Sequence, residues 1–454
     1  MDCFVQRINA RPRPHRNSRG TSLVEYGVLV GLMGAVAAAS LLELGGGLSD
    51  FFSNAAERVS IAPETYDPEA FVIEVQASSA TIFPMAGGAI KVDWGDDAAN
   101  DSCGRDFVAG ASITCNYPIF GTYRVSITGD MTNYGESVSP ASNASITRVL
   151  QWGETGLTNL NYAFQNAVNL TDVPDYLPSG VNNISGIFND AIALNDPSIE
   201  RWDVGGVRYF AAAFEGASSF NRNLSSWDVG SALHLHNMFK NASSFNQPLG
   251  DWNTSSVVNM SLMFMGASSF NQDIGSWDTG NVTTMMSMFE NADAFDQDIS
   301  RWDVSSVLST QSMFLGANSF SGNLSAWDVA EVNVMQGMFR YSNYNGDISG
   351  WDTSGVSNMR YMFLGNHEFN QDISGWDVSK VRNFESTFRD ADSFDQDLSG
   401  WDTSSAIEMN RMFSGATSFG SDLSGWCVSN ILTSPESFSA GTAISSEPIW
   451  GTCP

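Results

Sequence analysis

With 454 residues, 43% of them apolar, the chain can bury a sizeable core and is not disordered along its length. Its 21 basic and 50 acidic residues leave a formal charge of −29. That sign argues against nucleic acid or an anionic lipid surface as partner, because both would repel it, and leaves divalent cations as suitable companions.

The first element is a basic leader, residues 1–20, with Arg7, Arg11, Arg13, Arg16 and Arg19 and no lysine. An uncharged apolar run from Tyr26 to Leu42 follows. Basic residues ahead of an apolar segment hold that flank in the cytoplasm. The run is longer than a secretory signal core and ends in Leu41-Leu42-Glu43, not at a small-residue cleavage site. It predicts a hydrophobic helix within residues 21–60.

Gly20-Thr21-Ser22-Leu23-Val24-Glu25-Tyr26 resembles the prepilin cleavage site of the Flp (Tad-type) pilins, and Gly45-Gly46-Gly47-Leu48-Ser49-Asp50-Phe51-Phe52 resembles the end of such a pilin. The resemblance implies cleavage after Gly20 by a prepilin peptidase, with Thr21 as the new N-terminus and Glu25-Tyr26 as the family's acidic-aromatic pair. It also implies contacts with other pilin subunits or the inner membrane through residues 21–48. A carboxylate at the start of an apolar helix needs a cationic partner. The freed amine of Thr21, on the same or a neighbouring subunit, would serve Glu25. Flp pilins are usually tiny, so the long remainder of this chain points to a minor or tip subunit. The alternative is a signal-anchored cell-surface protein unrelated to pili.

Residues 68–135 read as a small β domain. Phe71 to Val75, Ile90 to Trp94 and Tyr123 to Thr128 are β-rich, and Trp94-Gly95-Asp96-Asp97 and Phe120-Gly121-Thr122-Tyr123 carry turn chemistry. The V-D-W-G-D and Y-x-x-x-G-T-Y-x-V-x-I-x-G segments resemble PKD-like immunoglobulin sandwiches, which act mostly as spacers. Asp93 and Asp96 are candidate calcium ligands here, with a hydrogen-bonded turn as the structural reading. Cys103 lies close to Cys115, and Cys427 to Cys453; two local pairs predict two disulfides and an oxidising compartment.

From residue 146 to 454 the chain repeats. Tryptophan recurs at 202, 227, 252, 277, 302, 327, 351, 376, 401 and 426, a period of 25 that slips once to 24. Phenylalanine keeps step at positions that include Phe264, Phe289 and Phe314, and a second aromatic ladder runs from Phe220 to Phe419. In one unit, Val282, Met285, Met288, Phe289 and Ala292 have the spacing of one face of a short helix or 3₁₀ segment. Ile274 to Trp277 reads as a strand-like edge. One coil cannot bury its apolar side alone, so copies must stack, turning Trp227, Trp277, Trp302, Phe264, Phe289 and Phe314 into internal ladders.

The unit W-D-[VT]-S-x-V-x-x-M-x-x-M-F-x-x-A-x-x-F-N-Q-D-[IL]-S resembles the BspA-like leucine-rich-repeat surface proteins. The resemblance implies an α/β repeat solenoid, display at the cell surface or outside the cell, adhesion, and no enzymatic activity. Cys427 replaces the aspartate that usually follows the tryptophan, which suggests a Cys427–Cys453 bridge capping the last coil.

Aspartate follows the ladder tryptophan at many coils, including Asp278, Asp303 and Asp328. Stacked like charges repel, so each carboxylate needs compensation. Backbone N–H bonds would provide it by capping the next turn; calcium is the functional reading, although the glycine-aspartate nonapeptide of calcium-binding β-rolls is absent. No cofactor is otherwise implied. His234 and His236, two apart on a helix, would not share a face. No nucleophile–base signature or phosphate-cradling loop appears. A polysaccharide-acting enzyme would need carboxylates that break the repeat, whereas the conspicuous ones obey it. The sequence therefore predicts a non-enzymatic adhesion or binding protein, its acidic rod facing a protein or glycan ligand.

Overall fold

The computed structural model describes residues 67–82, 84–95, 103–104, 106–110, 112–135 and 143–454. The leader, the 21–60 segment with Gly20, Thr21, Glu25 and Tyr26, and Asp96 lie outside the described residues.

Five antiparallel strands form one sheet: β1 (Phe71–Ile82), β2 (Pro84–Asp93), β3 (Asp106–Val108), β4 (Ile113–Tyr134) and β5 (Ile146–Gln151), in the order β3-β2-β4-β1-β5. The β-rich runs of the sequence lie within β1, β2 and β4, with Phe71 opposite Ile127 and Val92 opposite the same residue. The expected immunoglobulin-like sandwich is overturned, because this is a single sheet. Its apolar side needs no second sheet: Phe71 and Tyr134 pack against Trp152 and Phe164 at the start of the repeats, with ring centroids 4.7–6.0 Å apart. Backbone bonds continue across, Met131 N–H donating to Thr155 O at 2.9 Å and Val149 N–H to Asp172 O at 2.8 Å. The sheet thus caps the first coil, satisfying backbone groups that a stack end would leave open.

The α/β class expected for the repeats is also overturned. Among the described residues no α-helix occurs, helical turns being short 3₁₀ segments such as Asn143–Ser145 and Pro197–Arg201. None of the helices there is long and apolar enough to cross a membrane. The supposed helical face of Val282, Met285, Met288, Phe289 and Ala292 is fully buried, but the backbone reverses within it, since Ser287 (φ 54°) and Asn291 (φ 55°) are left-handed.

The hydrogen bonds give the physical reason. Met288, Glu290 and Ala292 donate to carbonyls three residues back, at Met285, Ser287 and Phe289. Between them, Ser287, Phe289 and Asn291 donate to Gln311, Met313 and Leu315 of the next coil at 2.7–2.9 Å. Alternate N–H groups therefore close a turn and reach along the stack. An α-helix would turn every N–H back into its own coil and leave the neighbouring coil unbonded. The strand-like edge is a turn as well, with Trp277 N–H donating to Ile274 O at 3.2 Å.

Inside, the aromatic ladders stack. Trp277 and Trp302 lie 6.2 Å apart and within 2° of parallel, and Phe264, Phe289 and Phe314 succeed one another at 5.8 Å. Each indole N–H also donates to a carbonyl of the preceding coil, Trp277 to Leu249 at 2.9 Å and Trp302 to Ile274 at 3.0 Å. Burying one such ring contributes about 1.5–3 kcal/mol, and the pairing about 0.5–1.5 more.

Both predicted disulfides are present, Cys103–Cys115 and Cys427–Cys453. The second closes the last coil, where Val428 N–H donates to Thr452 O at 2.8 Å and Trp450 meets Phe438 edge-on.

Candidate functional site

The aspartates that follow the ladder tryptophans sit in the turn that opens each coil. Asp278 Oδ1 accepts from Gly280 N–H at 3.1 Å, Asp303 Oδ1 from Ser305 N–H at 3.0 Å, and Asp328 Oδ1 from Ala330 N–H at 3.2 Å. A second ladder before the tryptophans repeats the motif at Asp298, Asp347, Asp372, Asp397 and Asp422, each accepting from the serine two residues on. The Ser305 hydroxyl and amide hold the Asp303 carboxyl below the usual carboxylate range, and Ser300 does the same for Asp298. Asp93 Oδ1 likewise accepts from Gly95 N–H at 3.0 Å. Among the described residues no three His, Cys, Asp or Glu side chains converge as a metal cage. The calcium candidates within the described residues thus serve as local turn caps.

The coil's geometry brings the two histidines together. Without a helix, residues two apart do share a face, and the His234 and His236 rings stand edge-to-face at 5.8 Å. Burial and the neighbouring His234 lower the His236 pKa. No third ligand joins them among the described residues.

The structure assembles another group that the repeat pattern does not single out. Its residues come from three successive coils. The Arg340 guanidinium lies 4.8 Å from the Tyr341 ring centroid and 5.3 Å from that of Tyr361, and Arg360 lies 4.3 Å from Tyr361. Such contacts contribute about 0.5–1 kcal/mol at exposed sites. Arg360 pairs with Glu385 at 2.9 Å, and the Tyr361 hydroxyl donates to the same carboxylate at 2.9 Å. Arg340, by contrast, has no carboxylate partner among the described residues. The Tyr341 ring lies where a side chain at Gly365 would be, since a Cβ there would come within 2.3 Å of it. In the two coils that follow, Arg389 pairs with Asp390 and Arg411 with Glu436.

The signal for this cluster was present as a break in the pattern. The tryptophan ladder shortens to 24 residues once, between Trp327 and Trp351. Just after Tyr341, Ser342 and then Asn366 stand where neighbouring coils carry Ala317 and Ala391, and Tyr344 stands where they carry phenylalanine.

A family model described as "Mycoplasma protein of unknown function, DUF285" matches residues 158–264, 247–345 and 335–450. No curated protein matches the chain. The three matches tile the coil array without a gap and agree with the resemblance to BspA-like repeat surface proteins. Since together they cover well over half of the 454 residues, the chain belongs to the DUF285 family.

Proposed function

We propose that this chain is a non-enzymatic surface protein whose coil array presents a binding wall, carried on a Tad-type filament through the Gly20–Tyr26 processing segment. The observation that carries the binding reading is that the array repeats inward and varies outward. Phe264, Phe289, Phe314, Phe339, Phe363, Phe388 and Phe413 line the interior, all buried. Five residues before each of them the wall carries Asn259, Thr284, Ser309, Val334, Asn358, Asn383 and Glu408, the residues that bridge coil to coil. Folding accounts for the repeated positions, whereas bridging through the backbone places little demand on the side chain at the varied ones. A uniform scaffold with a varied wall suits recognition.

Two further features support the reading. The conspicuous carboxylates of the repeat are engaged as turn caps, which gives them a structural role. The two disulfides and the repeat family fit a surface or extracellular location.

The test is N-terminal sequencing and intact mass of protein sheared from cells, paired with an attachment assay on cells lacking the chain. The expected results are a start at Thr21 and reduced attachment. A start at Met1 in the membrane fraction would replace the filament with a signal-anchored surface protein. A chain found only in the cytoplasm would sink the reading entirely.

A further inference from the structure

We infer that Arg340, Tyr341, Arg360 and Tyr361 form a binding site for a short acidic saccharide, one bearing carboxylate or sulfate groups; this rests on the surface-binding reading above.

Three separate observations meet at these residues. The first is backbone cost. Tyr341 holds a left-handed conformation, φ 54°. The positions equivalent to Tyr341 in other coils carry Gly266, Asn291, Gly316, Gly365 and Gly415, residues suited to that region. A tyrosine there is costly to the fold, and such outliers gather where a side chain is needed for something else.

The second is the break in the repeat. The one 24-residue step of the tryptophan ladder falls at Tyr341, and the interior behind it is rebuilt. Asn366, fully buried, donates to Tyr344 O at 2.9 Å and accepts from the Glu368 and Phe369 amides at 3.1 and 3.0 Å. Inside and outside depart from the pattern in the same pair of coils.

The third is the state of Arg340. Its guanidinium is braced by two tyrosine rings, yet it has no carboxylate among the described residues, in a chain with 50 acidic residues. A guanidinium offers a bidentate fork to a carboxylate or sulfate. Arg360 is fixed beside it by Glu385, so the next group along is held in position.

The surroundings favour a saccharide over a peptide. Backbone groups of this wall are engaged between coils, Gly337 N–H with Arg360 O at 2.8 Å and Tyr361 N–H with Glu385 O at 3.0 Å. A peptide main chain would find no open strand edge to extend. The same wall carries amide chemistry suited to sugar hydroxyls, Gln336 Oε1 accepting from Asn358 Nδ2 at 3.2 Å, beside the Tyr361 phenol that donates to Glu385. The half-exposed Tyr341 ring (49%) supplies an apolar surface for a sugar. A short oligomer suffices, because the chain's net charge of −29 repels long polyanions while its remoter charges are screened beyond about 8 Å at physiological salt.

The test is calorimetric titration of the full processed chain with a galacturonate oligomer, a sulfated heparin-derived oligomer, a neutral dextran oligomer and a glutamate peptide. Wild-type protein should bind an acidic saccharide and neither dextran nor peptide; the uronate and sulfate arms show which anion it prefers. Arg340→Gln, which strands no carboxylate, should weaken that binding about tenfold. Tyr341→Asn, the residue found at the equivalent Asn291, should also weaken it while leaving thermal stability unchanged or raised. Unchanged binding in both variants overturns the site, and equal binding of the peptide overturns the saccharide assignment. A surface-displayed chain that supports attachment but binds no acidic oligomer refutes this inference alone; a chain absent from the surface refutes the reading beneath it.

Discussion

Asn366 Nδ2 donates to the carbonyl of Tyr344 at 2.9 Å, so a side chain bridges two successive coils where the array is one residue short. Its Oδ1 meanwhile accepts from two amides, so one fully buried amide group holds three backbone groups. Alanine is the ordinary residue at this position, as at Ala267, Ala292, Ala317 and Ala391. Asn366→Ala should nevertheless destabilise the protein by about 3 kcal/mol, because it strands buried polar groups. Denaturant unfolding measures this; a neutral or stabilised variant would show that the shortened coil needs no such support.

The tryptophan ladder joins packing and hydrogen bonding in one residue. Trp302→Phe keeps a ring in the stack but removes the donor to Ile274 O, which still accepts from Trp277 N–H. The expected loss is about 2 kcal/mol, from the missing bond and the smaller ring. In a linear array the damage should stay local. Hydrogen exchange should therefore quicken around residues 274–314 while the coils near Trp401 keep their protection; uniform quickening would show that the array behaves as one cooperative block.

The aspartate turns make stability depend on pH in a defined direction. Serine hydroxyl and amide donors hold Asp303, Asp352, Asp372 and Asp377 below the usual carboxylate value. A depressed folded-state pKa adds stability that is present above about pH 4 and lost as pH falls through the folded values. Thermal midpoints should hold from neutrality to about pH 5 and drop below about pH 4. Asp303→Asn should keep the turn, as Asn253 does when its Oδ1 accepts from Ser255 N–H at 3.2 Å, and should soften the acid drop. If the variant melts like wild type at every pH, Asp303 does not contribute to acid sensitivity.

Much of the architecture could be read from residue order. The 25-residue period, the tryptophan and phenylalanine ladders, the paired cysteines and the capping role of the aspartates each follow from spacing and side-chain chemistry. The coil's secondary structure could not. Apolar residues at Val282, Met285, Met288, Phe289 and Ala292 suit a helix as well as a chain of reverse turns, since both bring those side chains to one side. The choice depends on where alternate N–H groups go, and that depends on the next coil: Ser287 reaches Gln311 and Phe289 reaches Met313 only once the two are stacked. The β domain was settled in the same way, its apolar face covered by Trp152 and Phe164 and not by a second sheet.

The arginine–tyrosine cluster shows the same division. Residue order alone determined the period, the buried ladders and the one missing residue, because these are properties of a single coil repeated. Tertiary structure decided that Arg340 meets Tyr361 and that Arg360 meets Glu385, since such partners lie a coil apart in sequence. They become neighbours through stacking, which lays each outward position directly beside its equivalent in the next coil.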